Sequence, residues 1–334
     1  MNASQDTLDA AIAREVAGLV ALYDFSGDTE VALLSESENK VFLVSDPAQA
    51  EKFVIRVNSG RLSYHTAPSI ASELMWMMAL ERDTDIAVPR VMRAKDGSLV
   101  QTIAAPDLDK PRHAAVYSFL SGVEPPEDRL IPGFEQLGEI SARMHSHAKD
   151  WAPPADFKRH AWLPDAILDD RLNWSPWQKG VGVEGETLSL LSRTDAVVRK
   201  RLSGLANDRD RFGLIHADLR LANLLVDGGR TAIIDFDDCG HGWYLFDLAA
   251  ALSFLEERSD VPDLIASWLQ GYRRVAEMPA DVEAELPTLI MLRRLQLMGW
   301  VGYQQQHLAF ARDIGPQFTV DSCRLADDYL TRFG

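Results

Sequence analysis

Cysteine is almost absent from the chain: Cys239 and Cys323 are the only two among 334 residues. Two thiols build neither a disulfide framework nor a thiolate-rich metal site, and both fit small buried hydrophobes in a reducing compartment. Long apolar runs are lacking too; none approaches the roughly 20 residues that a membrane crossing needs. The first residues, with Asp6, Asp9 and Glu15, have neither the basic start nor the apolar stretch of a secretion signal. The expectation is a soluble cytoplasmic protein with no membrane partner. Nor is there a basic excess. A formal net charge of -16 argues against nucleic-acid binding, because phosphate backbones need concentrated Lys and Arg, and leaves cationic or metal-bound partners open. No internal repeat or low-complexity tract is seen.

What is present is an ordinary globular composition, 46% hydrophobic and 25% charged, in a chain of a length that more often folds as two domains than one. Leu8, Ile12, Val16 and Val20 recur at helical spacing and predict an amphipathic helix over 7–21. The period then changes. Apolar runs at 31–34, 41–44 and 53–57 predict three strands of an antiparallel meander. The connection at 35–40 contains no glycine, but its backbone and the hydroxyls of Ser35 and Ser37 are candidates to meet phosphate, with an ordinary solvent turn as the alternative.

Arg56 lies between Ile55 and Val57, and a cation among apolar neighbours needs an anion. It is read as a clamp on ATP phosphates, oriented by Glu73 from a strong helix over 69–82; both residues also admit a surface reading. Strands are expected from Val88, at 99–103 and from His113 to Leu120, after which Gly122, Pro125 and Pro126 mark a boundary. Main-chain groups of Ser118, Phe119 and Leu120 are placed to meet an adenine ring. From Gly133 the pattern turns helical. His145 and His147 sit two apart, a spacing that keeps them off one helical face and favours satisfied histidines over metal ligands.

Trp151, Trp162, Trp174 and Trp177, interleaved with Asp165, Asp169 and Asp170, suit either a pocket for a small cationic substrate or plain packing. Arg193, Arg199 and Arg201 are expected on a solvated helical face over 188–205. Further helices are predicted at 252–257, 261–272, 282–298 and 322–329. Arg293 and Arg294 either touch substrate or balance the acidic surface.

The chemistry concentrates between residues 214 and 247. Asp218 follows a short strand, and Asn223 comes five residues later. Such a loop points a carboxylate at an incoming hydroxyl while the amide holds a metal. A second strand ends in Asp235-Phe-Asp237-Asp238, hard oxygen donors suited to Mg²⁺. Asp235 is the main candidate ligand, Asp237 a supporting or second-metal group, and Asp238 the weakest of the three. His216 is expected to make a structural hydrogen bond, and Asp247 to fix the catalytic loop by accepting hydrogen bonds.

His216-Ala-Asp218-Leu-Arg-Leu-Ala-Asn223, Ile234-Asp235-Phe-Asp237 and Gly242-Trp-Tyr-Leu-Phe-Asp247 together resemble the signature of the aminoglycoside phosphotransferase and choline kinase superfamily. Within it, the Arg56 strand, the Glu73 helix and the Gly-Trp-Tyr tail are similar to the bacterial branch of type II homoserine kinases and RdoA-type stress-response kinases, over about residues 28–310. The resemblance implies an α+β, protein-kinase-like fold of two lobes. A small antiparallel-sheet lobe, residues 1–120 with a hinge near 118–122, would bind ATP, and a mainly helical lobe, 123–334, would carry the catalytic loop and acceptor site.

It also implies a Mg-ATP-dependent kinase with an alcohol group as acceptor. Asp218 is then the base or orienting carboxylate, Asn223 and Asp235 hold Mg²⁺, and Arg56 stands where relatives place a lysine, with Glu73 as its partner. Arginine keeps the charge but has a planar, bulkier head. The first-choice acceptor is a small hydroxyl compound such as an amino alcohol, homoserine-like or aminoglycoside-like molecule. A Ser/Thr protein kinase and a non-catalytic ATP-sensing interaction protein are the competing readings, and monomer and homodimer are both compatible.

Overall fold

The computed structural model describes residues 5–60, 62–106, 108, 110–126, 129–169, 171–172 and 175–334. Asp170 and Trp174, and the side chain of Asp6, lie outside the described residues. In chain order come α1 (Gln5–Leu19), β1 (Glu30–Glu36), β2 (Lys40–Ser45), β3 (Phe53–Val57), α2 (Ala67–Asp83), β4 (Val91–Met92), β5 (Gln101–Ile103) and β6 (Arg112–Ser118). Then follow α3 (Leu130–Asp150), α4 (Pro164–Leu168), α5 (Gly185–Leu202), β7 (Phe212–Ile215), β8 (Leu224–Asp227), β9 (Arg230–Ile233) and β10 (Gly240–Trp243). The chain closes with α6 (Phe246–Ala251), α7 (Val261–Tyr272), α8 (Ala280–Ala284), α9 (Leu286–Gln304) and α10 (Ala309–Phe333). The fold class is the expected one, α+β with a small antiparallel sheet at the N-terminal side and a larger, mostly helical remainder.

Two compact units divide the chain. The first comprises Met1–Gly122, Pro153–Arg159 and Leu225–Asp237. Its antiparallel sheet runs β1-β2-β3-β6-β4, with β5 also on β6. The predicted meander is present in register, Val41 opposite Arg56 and Arg56 opposite Ala115. Alternation sends Phe42, Val44, Phe53, Ile55 and Val57 into a core closed by Ile12, Val16 and Leu19 of α1. Thr66 caps α2 by accepting from the Ser69 N–H, and Pro68 occupies the first turn, where a missing N–H costs nothing. The β8–β9 hairpin turns on Gly228 and Gly229, both at positive φ, and Ala87 accepts a hydrogen bond from the Ile233 N–H at 2.8 Å.

The second unit comprises Val123–Ala152, His160–Leu224 and Asp238–Gly334. Its tightest packing is α3 on α7, made by two glycines: a Cβ on Gly138 would lie 1.9 Å from the Trp268 carbonyl, and one on Gly271 the same distance from the Glu135 carbonyl. The strand β10 adds to the expected elements and contains Gly240 and Gly242. They are there because a Cβ on Gly242 would meet the Ile215 side chain of the paired β7 at 2.4 Å. Two sequence expectations need correction here. No helix forms at 252–257: α6 ends at Ala251, and Phe254 takes a left-handed φ of 68°. The last helix is far longer than 322–329 and passes through Gly315 and Pro316, where tertiary packing of Gly315 on Val181 overrides the local breakers.

Among the described residues no helix is long and apolar enough to cross a membrane. Gly138→Ala is expected to destabilise the protein by about 3 kcal/mol, the upper end for overpacking, since backbone rather than a side-chain tip blocks the new methyl. Urea unfolding of the two forms checks this.

Candidate active site

Within the first unit the functional groups form one buried charge network. β3 places Arg56, and α2 brings Glu73, fully buried, to meet it; one guanidinium nitrogen, Nη2, donates to both carboxylate oxygens at 2.7 Å. The predicted pair therefore exists. The Tyr117 ring lies 5.4 Å below the guanidinium. Burial works against the Arg56 charge, but Glu73, Tyr117 and Asp237 outweigh it and keep the guanidinium charged. Its Nε is buried with no hydrogen-bond partner, a donor free for a phosphate oxygen.

Asp237 is the second node. Its Oδ1 accepts from Asn58 Nδ2 at 3.0 Å and its Oδ2 from Asn39 Nδ2 at 2.7 Å, while His65 Nε2 stands 3.1 Å from Oδ2 and Arg56 Nη2 3.7 Å from Oδ1. Burial raises its pKa, but His65, Arg56 and the Asn39 amide prevail and hold the carboxyl well below the usual range. Proton donors on both oxygens suit the supporting one of the two roles expected for Asp237. Asp235 differs: it sits exposed at the end of β9, with φ at 65°, and offers a carboxylate where an ion has access.

The turn between β1 and β2 shrinks to Ser37–Asn39, since Ser35 belongs to β1. Ser35 and Ser37 are exposed, and the side chain doing the fixing is Asn39, which also accepts from the Ser59 N–H at 3.2 Å. Adenine recognition through backbone donors is narrowed as well. The Ser118 N–H goes to the Arg90 carbonyl and the Phe119 N–H to the Lys52 carbonyl, so of the three residues only Leu120 keeps its N–H out of these bonds.

In the second unit, β7 delivers the loop that carries Asp218. Asp247, at the start of α6 and fully buried, accepts from the His216 N–H at 3.2 Å and the Ala217 N–H at 2.7 Å, and His145 Nε2 lies 2.9 Å from its Oδ2. Ala217 adopts a φ of 66°, a conformation that costs an alanine energy and is held by these bonds. His216 is buried, and its backbone N–H donates to Asp247. His145 is likewise satisfied, between Asp247 and the Tyr272 hydroxyl.

Asn223 donates through Nδ2 to the Asp218 carbonyl at 2.7 Å and to Asp218 Oδ2 at 3.1 Å, which turns its amide oxygen away from Asp218. An amide oxygen is a hard donor of the kind Mg²⁺ takes, as is the carboxylate of Asp235 in the first unit.

Arginine around Asp218 was not foreseen. Arg293 Nη2 donates to Asp218 Oδ1 at 2.5 Å and Arg220 Nε lies 3.3 Å from the same oxygen. Burial raises the Asp218 pKa, but Arg220 and Arg293 dominate and set it below the ordinary value. Arg293 and Arg294 are buried, not surface balance; Arg294 pairs with Glu256 at 2.8 Å. The available signal was a pair of charges inside the otherwise apolar run of α9, a place where each needs a partner.

The Trp- and Asp-rich segment resolves towards packing. Trp162 and Trp177 are buried, with indole N–H groups donating to the Asp238 carbonyl and to Asp195. Asp165 and Asp169 pair with Arg199, and Arg201 with Glu285, so neither arginine is part of a merely solvated face.

A model of the phosphotransferase enzyme family matches residues 30–281, about three quarters of the chain. The chain belongs to the phosphotransferase enzyme family. A solved structure of a microcompartment-associated aminopropanol kinase is 37% identical, over 96% of this chain and 98% of that one, with a TM-score of 0.86. Amicoumacin kinase of Bacillus subtilis (strain 168) is 24% identical over 297 residues, 85% of this chain and 83% of the relative. Homoserine kinase of Gluconobacter oxydans (strain 621H) is 26% identical over 293 residues, 81% and 85% of the two chains. As a member of this family the protein is an ATP-dependent phosphotransferase acting on a small-molecule hydroxyl.

For this phosphotransferase, Asp237→Asn is expected to cost about 3 kcal/mol at neutral pH, because it removes the anion facing Arg56 and His65. A carboxyl with a depressed folded pKa contributes fully above its unfolded value of about 3.9 and loses that contribution as pH falls towards the folded value. The difference in urea midpoint between wild type and variant therefore shrinks below about pH 4; a difference independent of pH contradicts the network.

Proposed function

We propose that the protein transfers the γ-phosphoryl group of Mg-ATP to the hydroxyl of a small amino alcohol, with Asp218 orienting that hydroxyl. The observation that carries this reading is the loop itself: a carboxylate set by a left-handed Ala217, backed by buried Asp247, with Asn223 fixed five residues on. The likeness to an aminopropanol kinase, higher in identity than that to homoserine kinase, puts an amino alcohol ahead of homoserine itself, of an aminoglycoside and of a protein hydroxyl.

In this reading residues 1–120 form the ATP-binding lobe, with the hinge at 118–122, and 123–334 carry the acceptor side. Arg56, steadied by Glu73, anchors phosphate oxygens; Asn223 and Asp235 hold magnesium; Leu120 meets the adenine edge. Bound magnesium neutralises charge on the phosphate oxygens and so admits an anionic or polar nucleophile. Asp218, with its basicity lowered by Arg220 and Arg293, acts chiefly by accepting a hydrogen bond from the hydroxyl and aiming its oxygen in line. Asp218 accepts the hydroxyl proton late, as the new P–O bond forms and the bond to the leaving ADP oxygen breaks.

Asp218→Asn keeps the shape of the side chain and removes its charge. It is expected to bind Mg-ATP as wild type does, by calorimetry, and to lose roughly 10²- to 10⁴-fold in turnover. Unchanged turnover removes Asp218 from this role.

A further inference from the structure

We propose that Arg293 is a positioning residue for phosphoryl transfer: it locks Oδ1 of Asp218 and leaves Oδ2 as the oxygen that receives the acceptor hydroxyl. The inference rests on the function proposed above. Arg293 is 5% exposed, and each of its three nitrogens is engaged: Nη2 with Asp218 Oδ1 at 2.5 Å, Nε with Ser253 Oγ at 2.9 Å, Nη1 with Gln296 Oε1 at 3.0 Å. A guanidinium held by Ser253 and Gln296 apart from Asp218 has little freedom to follow the carboxylate. The carboxylate follows it instead.

The two oxygens of Asp218 are thereby made unequal. Oδ1 meets Arg293 at 2.5 Å and Arg220 Nε at 3.3 Å, whereas Oδ2 has one short partner, Asn223 Nδ2 at 3.1 Å, with Arg220 Nε at 3.5 Å. A carboxylate oxygen accepts about two hydrogen bonds, so Oδ2 retains the capacity to take one more.

An independent feature points to the same role. The brace residue Ser253 is followed by Phe254 in the left-handed region, φ 68°, a conformation unusual for a bulky side chain. That turn is packed in place: the Phe254 ring lies 5.9 Å from Trp300, 5.8 Å from Phe310 and 5.6 Å from Phe318, and the Arg220 guanidinium sits 5.9 Å from its centroid. Strained backbone maintained by surrounding packing is a mark of a functional position. One turn thus supports both arginines that face Asp218.

The test compares full-length wild type, Arg293→Gln, Arg293→Lys and Ser253→Ala, with 1-amino-2-propanol and homoserine as probe acceptors. Arg293→Gln is expected to lower kcat roughly ten- to hundredfold per folded molecule with KM for ATP within twofold, the signature of lost alignment rather than lost nucleotide binding. Arg293→Lys restores charge but not the three-point hold and recovers only part of the rate. Ser253→Ala, which removes one brace and keeps the ion pair, gives a smaller loss and serves where Arg293→Gln does not fold. A kcat within twofold of wild type in Arg293→Gln, or in Ser253→Ala in that case, overturns the proposal. Crystal structures of wild type and a folded Arg293 variant provide an arm that needs no acceptor: the Asp218 carboxylate is expected to rotate, and an unmoved carboxylate overturns the proposal. Wild type inactive on every acceptor, with a rotated carboxylate in the variant, counts against the proposed function and not against the positioning.

Discussion

A single buried carboxylate, Asp247, sets the loop that carries Asp218. It accepts two consecutive backbone N–H groups, from His216 and Ala217, and is itself fixed by His145. Leaving either N–H buried without an acceptor would cost about 1–3 kcal/mol, comparable with the cost of holding Ala217 left-handed. The two quantities decide the matter together: the strained conformation persists because abandoning it orphans the donors. Asp218 is next in the chain, so its backbone direction is inherited from the bonds that Asp247 accepts.

The first unit uses the same physics on side chains. Arg56, Glu73 and Asp237 carry three formal charges away from water, an arrangement that is tolerable only because each charge faces an opposite one or an amide donor. The amides come from Asn39, beside the β1–β2 turn, and Asn58, just after β3, so a single carboxylate ties the turn to the sheet. That explains how the connection manages without glycine. Its shape is imposed by a hydrogen-bonded side chain instead of by backbone freedom.

Much of this was legible in the residues. The meander of β1 to β3 and the α2 helix follow from period and capping, and the pairing of Arg56 with Glu73 follows from a cation placed among apolar neighbours. The order Asp218, Asn223, Asp235 pointed to phosphoryl transfer before any coordinates. What stayed hidden has one cause, contact between residues distant in sequence. Asn39 lies 198 positions from Asp237, and Arg293 lies 75 from Asp218. Nothing local to Asp237 says that its oxygens are already taken, and nothing local to Gly240 or Gly242 says that a neighbour fills the space a Cβ would occupy. The choice between pocket and packing at Asp165 and Asp169 stayed open for the same reason, since the arginine that pairs with them comes about 30 residues later, on α5.

Family membership makes the protein an ATP-dependent phosphotransferase acting on a small-molecule hydroxyl. Mass analysis of the products formed from Mg-ATP with 1-amino-2-propanol, homoserine, choline, sugars, aminoglycosides and unstructured Ser/Thr peptides tests it most directly. The expected product is a magnesium-dependent phosphate ester on the hydroxyl of an amino alcohol. ATP binding with no phosphorylated small molecule, or phosphate found on the peptides alone, would contradict it.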